Sequence, residues 1–268
     1  MKPLSAFQYR ARQSIRGVFT DIDDTLSTDG RLTADAYQAM ENLQDAGFLV
    51  VPITGRPAGW CDHIARMWPV DGVVGENGAF YFRYDQKNKR MDRRYVDDDA
   101  TRAANRLRLE KLGKHILEHV VGTAISADQL YRETDLAIDF CEDVPALNQA
   151  DIDHIVKLFE DDGATAKVSS IHVNGWYGTY DKLTMSQHFA KDCLGIDLDQ
   201  TKSEFVFAGD SPNDAPMFAF FPHAVGVANV RDFEHQLTAK PAYVTDDRGG
   251  AGFSALAKSL IDARGAVS

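Results

Sequence analysis

Five aspartates set the chemistry of this 268-residue chain. Asp21, Asp23 and Asp24 end the run GVFTDIDDT at residues 17–25, and Asp210 and Asp214 lie in GDSPND just after the apolar EFVFA. Acidic residues are poor strand formers, so both runs read as strands that deliver carboxylates at their carboxyl ends, where open α/β sheets carry their chemistry. Taken alone, the first run is equally an acidic turn capping a helix that starts near Thr33; the downstream residues decide. FLVVPI at 48–53 delivers Thr54, Gly55 and Arg56, and Lys182 opens a helix. If the strands are parallel, all these groups meet at one edge of the sheet, with Asp21 and Asp23, two apart, on one strand face. Clustered carboxylates repel unless a cation sits among them, so Asp21, Asp23, Asp210 and Asp214 imply a hard divalent metal with oxygen ligands, Mg2+ being the natural choice. The Thr54 hydroxyl, the Lys182 and Arg56 cations and free turn amides are what a phosphoryl group needs for its oxygens.

The elements that must position these groups follow a strand–helix–strand rhythm. A strand at 15–20 is followed by a helix from Thr33 to about Ala46, with Ala36, Ala39, Met40, Leu43 and Ala46 at helical spacing and Gly47 closing it. The strand at 48–53 leads through Pro57 into a helix towards Met67, then a short strand at 71–74, the turn Gly75-Glu76-Asn77-Gly78, and a hairpin joining AFYFRY to MDRRYV. From about residue 85 the texture changes to a charged helix at 101–119, strand-like pieces at 129–133 and 135–141, a helix near 148–160, and strands in AKVSS and IHVNGWYG. This α+β material interrupts the parallel pattern, which resumes at Lys182 and continues through EFVFAG, AVGVA and AYVT to a closing helix. The expected fold is therefore α/β: a doubly wound, mainly parallel Rossmann-like core sheet at 1–84 and 179–268, with an inserted α+β cap domain at 85–178. Residues 1–15 show little pattern and read as a loosely attached arm.

Composition narrows the partners. The chain is 44% hydrophobic with a net charge of −11, so its global field repels nucleic acid and anionic membranes, and an anionic substrate needs a local device. Three separated cysteines hold no zinc motif and point to a reduced, cytoplasmic setting; no run is long and apolar enough for a signal peptide or a membrane span. Oligomeric state is not encoded in any pattern here.

These motifs resemble the haloacid dehalogenase-like superfamily, in particular phosphatases with a type IIB cap such as the Cof-type, sucrose-phosphate and mannosyl-3-phosphoglycerate phosphatases. VFTDIDDTL matches the first motif, Thr54 in VPITGR the second, Lys182 in TYDKLT the third and GDSPND the fourth, in order and with the insert between the second and third. The resemblance implies Mg2+-dependent hydrolysis of a small phosphomonoester, a phosphorylated sugar or sugar acid, through an aspartyl-phosphate. It makes Asp21 the nucleophile and Asp23 the general acid, then base. Asp21, the Asp23 carbonyl and Asp210 would hold Mg2+, with Asp214 reaching it through water; Thr54 and Lys182 would bind the phosphoryl group, and Asn213 would orient the lysine or the phosphate. Two departures stand out. Asp24 replaces a common glycine or asparagine, and Leu183 follows Lys182 where many type IIB phosphatases have glycine, giving a DK pair closer to that of phosphomannomutases, which keeps a phosphosugar mutase as an alternative although the compact GDSPNDAPMF resembles the phosphatase form; a non-catalytic phosphosugar-binding protein is a third reading, disfavoured by the intact Asp21/Asp23 pair.

Other residues carry both a plain and a functional reading. The Gly75–Gly78 turn suits a hairpin, yet in the resembling phosphatases it faces substrate, which makes Asn77 a candidate contact and Glu76 a weaker one. Arg56 beside Thr54 suits phosphate or substrate. Alternation puts His172, Asn174 and Trp176 on one strand face, a usable sugar-binding surface, although a strand tryptophan is more often core. Cys61 reads as a small core residue, His115, His119 and His154 as a solvated helix face, and Asp97 to Asp99 as a helix cap.

Overall fold

The computed structural model describes residues 1–169 and 171–265. A six-stranded, fully parallel sheet runs in the order Lys2–Pro3, Tyr243–Val244, Val225–Gly226, Phe205–Gly209, Gly17–Thr20, Leu49–Pro52. The two central strands are buried along their whole length, which is why their sequences are continuously apolar rather than alternating. In register, Val18 stands beside Val206 and Val50, and Phe19 beside Phe207 and Val51. The first row packs with Met40, Leu43, Leu256 and Leu260 from helices Ala34–Asp45 and Gly249–Gly265. The second packs with Met185, Phe189, Met217 and Phe221 on the opposite face. This is the mixed α/β, doubly wound architecture that the strand–helix rhythm predicts.

Beyond Leu49–Pro52 the chain continues through a parallel bridge from Ile53 to Val74 into an antiparallel three-stranded sheet, Val73–Gly75, Phe80–Asp85 and Arg90–Tyr95. Phe80 and Phe82 of this sheet lie in the same apolar cluster as Val18. A separate antiparallel sheet, in the order Thr165–Val168, His172–Trp176, Leu136–Asp139, Ala124–Ile125, carries helices Asp99–His119 and Gln149–Asp161 through its own cluster around Ile116, Ile138, Ile155, Phe159 and Val173. Asp98 and Asn148 cap those two helices by accepting the Thr101 and Asp151 amides.

Two expectations are corrected. Residues 129–133 are not a strand: Gln129–Tyr131 is a 3-10 turn, and the Gln129 side chain donates to Asp135 O and accepts from the Ala137 amide, taking the place of a ladder partner. Residues 1–15 are not a loose arm. Lys2–Pro3 forms an edge strand on Tyr243–Val244, and buried Phe7 stacks against His223 and Tyr243 at 5.0 and 4.6 Å. A two-residue strand is too short to leave a period, and a single aromatic anchor leaves none. Truncating that anchor empties a filled site, so Phe7→Ala is expected to lower the unfolding free energy by about 3 kcal/mol, read as a shifted urea midpoint at unchanged slope.

Candidate active site

The two central strands end side by side: the Asp21 amide donates to the Ala208 carbonyl, so Asp21 emerges next to Asp210. Carboxylate oxygens of Asp21, Asp210 and Asp214 lie within 4.8 Å of one another and all three residues are buried. Lys182 enters from the first turn of its helix, its Nζ donating to Asp21 Oδ1 at 2.6 Å and to Asp214 Oδ1 at 2.9 Å. The other oxygen of Asp214 accepts the amides of Asp210 and Ser211, so Asp214 ties its own loop to the lysine. Asp210 accepts from the Thr25 hydroxyl at 3.1 Å.

One ammonium stands against three buried carboxylates. Burial pushes Asp21 up to about 8, offset in part by Lys182 and reinforced by Asp214 and Asp23. Burial, Asp21 and Asp214 drive Asp210 well above the carboxylate range. Lys182 is held above its ordinary value: desolvation opposes the charge, but Asp21 and Asp214 outweigh it. A cluster that cannot stay ionised by itself fits a divalent cation with oxygen ligands.

Asp23 stands apart from that cluster. Arg56 Nε donates to both its oxygens at 3.0 and 3.2 Å, and the Arg56 guanidinium also reaches Glu142 at 3.3 Å and lies 4.5 Å over the Trp60 ring. Arg56, expected to touch phosphate or substrate, therefore spends its donors on Asp23 and on the second sheet's loop. The Thr54 hydroxyl accepts the Arg56 amide at 2.9 Å and keeps its own proton to donate. Asp21, Asp23, Gly55, Asn77, His172, Asn174, Asp210 and Asn213 surround one narrow cleft. Asn77 Nδ2 is buried there without a hydrogen-bond partner, and the Asn213 side chain takes a bond from Ser211 rather than from Lys182. His172 Nε2 lies 2.9 Å from Glu142, and Asn174 donates to Asp135. Trp176, on the same face, belongs to the core, stacked on Tyr180.

Glu76, read from the sequence as a weaker substrate contact, is placed elsewhere, and Arg132 escapes sequence reasoning altogether. Glu76 does not face the cleft: its carboxylate accepts the amides of Ala58, Glu133, Thr134 and Asp135, stitching the two sheet systems together. Arg132 donates to the Gly55 carbonyl at 2.9 Å while pairing with Asp128 and Asp135. Arg132 belongs to no motif, and the bonds that matter here, Glu76 to the 133–135 amides and Arg132 to Gly55, join residues distant in sequence. Asp24 gains a backbone account: its φ is 58°, a left-handed value that glycine, asparagine and aspartate accept, its amide donates to Ser27 Oγ and its carbonyl accepts from Asn229.

A family model described as haloacid dehalogenase-like hydrolase matches residues 18–170, more than half of the chain. The chain belongs to the haloacid dehalogenase-like hydrolases. The comparison with curated proteins finds no match. Among solved structures, Thermoplasma acidophilum 0175 is similar at 18% identity and TM-score 0.69, over 92% of this chain and 98% of that one. A HAD/COF-like hydrolase from Plasmodium vivax gives 17% and 0.65, over 95% and 99%. The sucrose-phosphatase of Synechocystis sp. PCC6803, solved with sucrose and phosphate, gives 14% and 0.62, over 92% and 98%. At these identities the likeness is one of fold. No helix among the described residues is long and apolar enough to cross a membrane.

The charge imbalance predicts a pH-dependent response to metal. Asp21 is ionised in the unfolded chain above its ordinary 3.8 but stays protonated in the cation-free fold up to about 8, so the cation-free protein loses stability as pH rises through that window. A bound cation removes this loss. Added Mg2+ is expected to raise the melting temperature by more at pH 8 than at pH 6 in differential scanning fluorimetry, and Asp210→Asn to abolish most of the rise; equal shifts at both pH values would contradict the assignment.

Proposed function

We propose that the chain is a Mg2+-dependent phosphomonoesterase acting on a small phosphorylated metabolite, a sugar phosphate or phosphorylated sugar acid, through an aspartyl-phosphate. The observation that carries this is the split between two carboxylates on one strand end: Asp21 inside the metal-type cluster against Lys182, and Asp23 outside it, held by Arg56. The family assignment and the sugar phosphatases among its structural neighbours support the same reading.

In this reading Asp21 attacks phosphorus, forming a carboxylate-oxygen–phosphorus bond as the bond to the leaving oxygen breaks, and Asp23 gives its proton to that oxygen. Asp23 then takes a proton from water as the water oxygen attacks the acyl phosphate, which restores Asp21. Lys182 screens Asp21 and neutralises the transferring oxygens, Asp214 holds Lys182, and Thr54 with the Asn77 amide donates to the phosphoryl group. Asp21 and Asp210, with the Asp23 carbonyl, would hold Mg2+, which neutralises the cluster and the phosphoryl oxygens. Asp214 has both oxygens engaged and would reach the metal through water.

The second sheet and its helices are the cap in this proposal. Its boundary is best drawn after Tyr95 rather than at 85, because strand Arg90–Tyr95 pairs along its whole length with Phe80–Asp85, whose phenylalanines lie in the core cluster. His172 and Asn174 then form the roof of the cleft.

Asp21→Asn is expected to cut phosphate release from p-nitrophenyl phosphate by at least about 10³-fold with the fold intact. In kcat/KM, which reports the phosphorylation step, Asp23→Asn should cost about 10²-fold or more on an alkyl phosphate and much less on the aryl ester, whose leaving group needs no proton, while kcat falls on both because the second step loses its base. Wild-type turnover by Asp21→Asn, or undiminished activity in excess chelator, would refute the proposal; isomerised sugar phosphate in place of free phosphate would convert it to a mutase.

A further inference from the structure

A second group of side chains with metal-ligand chemistry stands apart from the cleft. Helix Asp99–His119 ends in the run His115-Ile116-Leu117-Glu118-His119, whose Ile116 is buried in the cluster of the second sheet, while His115, Glu118 and His119 are exposed and line no part of the cleft around Asp21. The sequence reads these histidines as a solvated helix face. Residues three and four apart are neighbours on a helix surface, so both imidazoles and the carboxylate project from one side, and one donor atom of each lies within 4.8 Å of the others. The two rings are 4.1 Å apart between centroids. A pair of histidines at this spacing on one helix face chelates a zinc-type ion, and a neighbouring carboxylate adds a third ligand.

The surroundings favour a bound cation as well. His119 Nδ1 stands 2.8 Å from the His115 carbonyl oxygen. A carbonyl only accepts, so Nδ1 carries the proton and Nε2 keeps a free lone pair. Metal-binding histidines are oriented in this way, with one ring nitrogen anchored to a backbone carbonyl and the other left for the ion. The Glu118 carboxylate forms no ion pair among the described residues, although Lys114 lies four positions back on the same helix. The group also sits at the helix C-terminus, where the helix dipole favours positive charge. Two imidazole nitrogens and one carboxylate oxygen suit a transition-metal ion such as Zn2+, whereas Mg2+ takes oxygen ligands and keeps several waters. Three protein ligands leave one position of a tetrahedral site for water. We infer that His115, Glu118 and His119 form a second metal site, which takes Zn2+ and is chemically distinct from the all-oxygen cluster of Asp21, Asp210 and Asp214.

The test is a calorimetric titration of the untagged full chain with Zn2+ in excess Mg2+. The wild-type protein is expected to bind a Zn2+ equivalent that Asp210→Asn retains, because that substitution disables only the carboxylate cluster. His115→Ala and His119→Ala should each weaken this binding by at least about tenfold, no less than the loss of a residue that merely orients a ligand costs. The three side chains are exposed, so the variants are expected to fold; Glu118→Gln, which keeps the side chain's size, should weaken binding in the same direction. Nitrogen NMR should show ring signals of His115 and His119 shifting together on adding Zn2+, in the Asp210→Asn protein as in the wild type. Zn2+ uptake that the double histidine variant keeps, uptake that Asp210→Asn alone abolishes, or a wild-type titration with no Zn2+ bound would overturn the site. So would a melting temperature lowered equally by the double variant with and without Zn2+, which would make the stacked pair a stabiliser of the helix end and nothing more.

Discussion

The contact on which the rest depends is the Lys182 ammonium wedged between Asp21 and Asp214. Taking these charges out of water costs several kcal/mol per ion unless each is paired and hydrogen-bonded, so every element that reaches the site is constrained to keep the three groups together. Parallel pairing of the two central strands sets Asp21 beside Asp210. The loop after Phe205–Gly209 is closed on itself by Asp214 accepting the Asp210 and Ser211 amides. The helix bearing Lys182 is fixed by the turn Glu76–Gly78: Gly78 has φ 104°, and a Cβ there would stand 2.0 Å from the Asp181 carbonyl oxygen. Backbone approaches backbone at that point, and any side chain would push the lysine off its partners.

A second layer of buried charge joins the two sheet systems. Burial and the Asp135 charge push Glu76 up to about 7, against the pull of Arg132 and of the amides it accepts. Arg132 is itself enclosed by Asp128 and Asp135. Among the described residues, Asp23 and Arg56 line both the cleft and a groove that runs past Trp60. Arg56 stands at the crossing, bonded to Asp23, facing Glu142 and stacked on Trp60.

Much of the fold was legible because local rules and tertiary demand agree. Apolar strands with polar ends, helical spacing from Ala36 to Ala46 and capping at Asp98 and Asn148 are one-dimensional signals, and the parallel sheet follows from their order. The residues of the cleft were legible for a related reason: strand ends deliver them, so Asp21, Gly55, Asn77, Asp210 and Asn213 meet where the topology requires. What stayed hidden depends on partners far along the chain. Nothing near Phe7 announces that Tyr243 will stack on it, nothing near Gln129 says that its amide will complete a ladder, and the Glu76 carboxylate finds amides 57 to 59 residues away. Asp24 lies between these cases, since its left-handed backbone explains the residue type while its neighbours in sequence give no hint of Asn229.

The central claim is that Asp21 becomes covalently phosphorylated. A single-turnover reaction with a phosphomonoester labelled in the phosphoryl group, quenched in acid and mapped by peptide, tests it most directly. The account predicts a transient, hydroxylamine-labile label on the peptide containing Asp21, which persists longer in Asp23→Ala because the second step then lacks its base. Phosphate release with no labelled protein at any time in either form, or label on another residue, would contradict it.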